Sequence, residues 1–93
     1  MNNSDVQVRI LIEGRLQGMN FRMQTQVQAN KLNLGGFVRT LSDGRIEIEA
    51  RGTQENIEAL LDWCQQEPHS SGIKSILFRY DEPNKSYTDF AVR

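Results

Sequence analysis

The sequence predicts an α+β fold in which two helices cover one face of a mostly antiparallel sheet. Three observations predict it. Strand-type apolar runs recur at 6–13, 37–41, 45–51 and 73–80, several with the two-residue period of a half-buried strand. Two intervening segments are long enough for helices, and one has clean i, i+3, i+4, i+7 spacing. The signals fall in the order β-α-β-β-α-β within 93 residues, with a possible short fifth strand at the end.

The elements follow in chain order. Val6, Val8, Ile10 and Ile12 lie on one side of the first strand, and Gln7, Arg9 and Glu13 on the other. A glycine-bearing junction leads to a helix from about Phe21 to Asn33, because residues 22–32 contain neither Gly nor Pro. Its periodicity is mixed: Phe21, Thr25, Ala29 and Leu32 share a face, while Met23 and Val27 fall elsewhere. Gly35 and Gly36 break that helix. A strand over Phe37 to Leu41, the turn Ser42-Asp43-Gly44 and a strand over Arg45 to Arg51 make a hairpin. Thr53 is placed to cap a second helix, on which Ile57, Leu60, Leu61 and Cys64 form the apolar stripe. Glu67-Pro68 ends it. Ile73 to Tyr80 reads as a fourth strand, and Tyr87 to Val92 as a last short one. This order in so short a chain is that of the split β-α-β, ferredoxin-like α/β sandwich.

Residues 1–93 are expected to form one domain, with about 1–5 as a frayed N-terminus. No apolar run approaches the roughly 18 residues that span a bilayer, and the start has no signal-peptide layout. These features, with a single cysteine, predict a cytoplasmic protein, and with no clear oligomer signal a monomer is the default expectation. Cys64 reads as a small buried hydrophobe. The net charge of −1 gives a nucleic-acid partner no support, but its distribution is uneven. Residues 1–45 hold six Lys/Arg and three Asp/Glu, and residues 46–93 hold five and nine. A positive first half suits a small anion held at one place.

Most familiar catalytic patterns are missing. His69, the only histidine, reads as a solvated loop residue, and no Cys/His cluster has metal-ligand spacing. Glu47 and Glu49 read as the solvent side of a strand, whose carboxylates would repel an RNA backbone. Phe78, Tyr80 and Phe90 read as core or sheet-face packing. The informative segment is Gly14-Arg15-Leu16-Gln17-Gly18-Met19-Asn20-Phe21-Arg22. A tight strand-to-helix junction turns backbone N–H groups toward one spot beside a helix N-terminus, which suits a phosphoryl group. Arg22, expected in the first helical turn, is placed to grip two of its oxygens. From these residues alone, a mere tight turn with Arg22 paired to a surface carboxylate remains an equal reading.

Gly14, Leu16-Gln17-Gly18-Met19 and Phe21-Arg22 resemble the acylphosphatase signature G-x-V-Q-G-V-x-F-R. The resemblance continues through Ala29, Leu32, Leu34, Gly36-Phe37-Val38, Asp43-Gly44, Gly52, Trp63 and Pro68, nearly the whole chain. It implies the ferredoxin-like fold and hydrolysis of acyl phosphates to a carboxylate and phosphate. It implies no cofactor, no metal and no covalent intermediate, and as partners a small acyl phosphate or inorganic phosphate. It implies that Arg22 holds the phosphate together with the backbone of Gln17, Gly18, Met19, Asn20 and Phe21.

One departure matters. The family orients its attacking water with an asparagine, and Thr40 stands there, after Gly36-Phe37-Val38-Arg39. An amide offers an acceptor and two donors well away from the backbone; a threonine offers one hydroxyl close to it. Three outcomes stay open: Thr40 places the water less well, Asn20 takes over, or the chain is a catalytically impaired anion-binding module.

Overall fold

The computed structural model describes residues 5–16, 18–66, 69–83 and 86–93. Strands β1 (Val6–Gly14), β2 (Gly35–Thr40), β3 (Ile46–Gly52), β4 (Ile73–Asp81) and β5 (Phe90–Val92) form one sheet in the order β4-β1-β3-β2-β5. Every neighbouring pair is antiparallel except β2 and β5, which run parallel. Helices α1 (Gly18–Lys31) and α2 (Gln54–Cys64) pack on one face. The expected fold and element order are those observed.

Alternation explains the core. Val8, Ile10 and Ile12 pair across β3 with Ala50, Ile48 and Ile46, so all six side chains leave the sheet on the helix side, where they are buried. From α2 come Ile57, Leu60, Leu61 and Cys64; from α1 come Phe21, Ala29 and Thr25. Thr25 is tolerated there because its hydroxyl donates to the Phe21 carbonyl at 2.8 Å. Burial pushes the Cys64 thiol up to about 12, leaving it a packed apolar group at neutral pH.

The helix ends differ from the expected ones. α1 starts at Gly18, three residues before Phe21. It is closed before Gly35-Gly36 by Asn33, whose φ of 57° is left-handed. Asn33 N–H donates to Asn30 O at 3.1 Å and Leu34 N–H to Ala29 O at 2.9 Å, the paired bonds of a Schellman ending. In α2 the Thr53 hydroxyl accepts from Asn56 N–H at 3.2 Å, as a capping residue should. That helix stops at Cys64, before the expected Glu67-Pro68, which lies outside the described residues.

On the open face the structure corrects the reading of Glu47. It sits on the side away from the helices, yet is only 3% exposed. Arg9 on β1 donates to one carboxylate oxygen at 2.6 Å and Arg39 on β2 to the other at 2.5 Å. Burial works against the ionised form, but the two guanidinium hydrogen bonds outweigh it and hold this carboxyl below the usual range. Glu49 likewise accepts a hydrogen bond from the Tyr87 hydroxyl. Burial first, and this bond second, push that phenol up to about 12. The aromatic expectation divides. Phe90 is buried, whereas Phe78 and Tyr80 on the edge strand β4 are about half exposed.

Candidate active site

The junction after β1 is built by a close backbone crossing. Arg15 N–H donates to Gly72 O at 2.7 Å, where a single 3-10 turn (Ser70–Gly72) runs into β4. A Cβ on Gly14 would lie 2.2 Å from Gly72 O, and one on Gly72 2.3 Å from Arg15 O. Only two glycines allow the strands to cross so closely.

From this crossing the chain enters α1. The first-turn amides of Gly18, Met19 and Asn20 have no partner within the helix, by its geometry. They lie at its positive end, and the first turn carries no acidic residue. The expected cradle is thus mostly the helix's own first turn. Arg22 falls in the second turn rather than the first, and is half-buried. Gln17 lies outside the described residues.

Thr40 reaches the same end of the molecule by sheet register. It pairs with Ile46, which pairs with Ile12, two residues before β1 ends at Gly14. Cross-strand partners share a face, so Thr40 leaves the sheet on the helix side, and it is exposed. The ion pair of Arg39 with Glu47 fixes the residue immediately before it.

A cavity of about 280 Å³ adjoins the first turn, lined by Arg15, Leu16, Asn20, Phe21, Gln24, His69, Ser71 and Gly72. His69 corrects another expectation: it is 9% exposed rather than solvated. Its ring lies 4.4 Å from Trp63 and edge-on to Phe21 at 5.3 Å, between centroids. The sequence does not mark Arg15 and Ser71 as site residues, and it presents His69 only as a solvated loop residue. Arg15 is a variable position of the signature, and His69 and Ser71 arrive through a crossing nearly sixty residues away in the chain.

This architecture, two helices over a sheet of order β4-β1-β3-β2-β5 with a helix N-terminus free of acidic first-turn residues beside a close glycine contact, defines a small α/β sandwich whose junction suits an anion. The acylphosphatase family model matches residues 8–92. An acylphosphatase from Methylococcus capsulatus is 38% identical over 85 residues, which span 91% of this chain and 92% of that one. Another from a Synechococcus strain is 39% identical over 88 residues, 95% of this chain and 93% of that one. The solved structure of an acylphosphatase from Coxiella burnetii superposes with a TM-score of 0.84 at 28% identity, covering 96% and 93% of the two chains. The chain belongs to the acylphosphatase family and is a hydrolase of that type.

Proposed function

We propose that the protein hydrolyses acyl phosphates at the end of the sheet where β1 passes into α1. Arg22 and the amides of residues 17–21 hold the phosphoryl oxygens, and Thr40 places the water. The observation that carries this reading is that α1 begins at Gly18, inside the signature segment, so that its unsatisfied amides and Arg22 belong to one helix end. The chemistry asks for little more. A carboxylate leaves readily, so the main tasks are to neutralise the phosphoryl oxygens and to align a water behind phosphorus. The proposed acyl phosphate or inorganic phosphate is the only partner required, with no cofactor. The protein is read as a cytoplasmic, monomeric single domain, and the one cysteine, buried and protonated, suits the reducing compartment.

Thr40 supports a second reading, in which the site binds anions and turns them over poorly or not at all. Turnover of benzoyl phosphate by the purified protein separates the two. Arg22→Ala is expected to abolish both that turnover and calorimetric phosphate binding. Unchanged phosphate affinity in this variant would remove Arg22 from the site.

A further inference from the structure

Helix α1 carries apolar side chains that the core does not use. Phe21 and Ala29 face inward, but Met23 is 54% and Val27 55% exposed, among the most exposed large hydrophobic residues. They do not lie scattered. With Asn20, Gln24, Gln28 and half-buried Trp63 of α2 they line a second cavity of about 410 Å³. Asn20 and Gln24 line this cavity and also the 280 Å³ cavity beside the first turn. The two therefore adjoin as a shallow trough open to solvent, mixed in polarity where it meets the helix N-terminus and more apolar farther along. The spacing 20, 23, 24, 27, 28 follows one face of the helix, and Asn20 to Gln28 spans about 12 Å of its axis.

We infer that this trough receives the acyl chain of the substrate, and that the preferred substrates are medium-chain, unbranched fatty acyl phosphates. The inference rests on the hydrolase reading above. With the phosphoryl group held by the first turn, the acyl carbon is tethered at the mouth, where Asn20 and Arg15 offer hydrogen-bond donors to its carbonyl. A chain continuing from there meets Met23, Val27 and Trp63 and covers apolar surface otherwise left to water. A second copy of the protein is a poorer occupant. Three partly exposed apolar side chains offer well under the about 800 Å² per partner that stable interfaces bury. Methionine beside a tryptophan suits a flexible guest of variable shape.

The test is a series of acetyl, butyryl, hexanoyl and octanoyl phosphate, with kcat/KM measured on the wild type and on Met23→Gln/Val27→Gln. Full burial of a methylene is worth about fourfold in binding; a trough open on one side should give about twofold. Octanoyl phosphate is then expected to exceed butyryl phosphate about 16-fold, chiefly through KM. The double variant should cut that ratio to about fourfold or less. A flat series, or a ratio unchanged in the variant, overturns the trough while leaving the hydrolase reading intact. Absence of turnover with every member, acetyl phosphate included, overturns both. A concentration-dependent dimer by light scattering that Met23→Gln/Val27→Gln dissociates, with no chain-length preference, would assign the face to a second copy instead.

Discussion

Glu47 ties three strands together, and the cost of removing its charge can be worked from its contacts. Glu47→Gln keeps the side chain's shape but replaces a carboxylate that is 4% exposed and bonded to Arg9 and Arg39. A hydrogen bond to a charged group contributes about 1.5–3 kcal/mol when sheltered, and an exposed ion pair about 0.2–1 kcal/mol. The arginine side chains are 34% and 48% exposed, so each arm falls between these limits, at about 1 kcal/mol. The substitution should therefore cost about 2 kcal/mol at pH 7, or roughly 10 °C in Tm for a domain of this size. The pH dependence has a definite sign. The folded-state pKa of Glu47 is lowered, so its contribution is fully present above the unfolded glutamate pKa of about 4.3 and fades as pH falls through the folded value. Urea unfolding followed through Trp63, the only tryptophan, measures both at pH 7 and below pH 4. Equal stabilities of wild type and Glu47→Gln at pH 7, or a gap that widens on acidification, would refute the reasoning.

Two further substitutions probe the site. Thr40→Asn restores a longer amide at the end of β2 and should raise acyl phosphate turnover severalfold with little change in phosphate affinity; a variant no faster than wild type would clear Thr40 as the weak point. Gly72→Ala places a methyl 2.3 Å from the Arg15 carbonyl oxygen and 3.4 Å from a Leu16 methyl. It should lower stability by about 2 kcal/mol and reduce turnover by displacing the junction. A melting temperature and turnover like the wild type's would show that the crossing tolerates a side chain.

What the sequence made legible is what local pattern controls. The parity of Ile10 and Ile12 against Arg9 and Glu13, the stripe on α2 and the Thr53 cap are properties of neighbouring residues, and the structure bears them out. Parity also placed Glu47 on the correct side of β3. Its burial depends on Arg9, 38 residues away, whose reach no alternation reveals. His69 lies in a polar stretch and is buried by Trp63 of α2, six residues before it, and by Phe21, a contact made only once α1 has packed there. The start of α1 was hidden because Gly18 and Asn20 are weak helix formers, and its end because an asparagine adopts the conformation more often supplied by glycine. Met23 and Val27 broke the periodicity of α1 because the helix has two apolar faces, one toward the core and one toward the trough.

Strand β4 occupies one border of the sheet for nine residues, with Leu77, Phe78 and Tyr80 all substantially exposed. Such a border can recruit any extended polypeptide that meets it, and Lys74, Arg79 and Asp81 along it are the charges that discourage this. Colloidal behaviour is thus governed on the flank opposite β2, where Thr40 ends its strand. Substitutions that discharge this rim would erode solubility in concentrated solution while leaving each dissolved molecule's chemistry as it was.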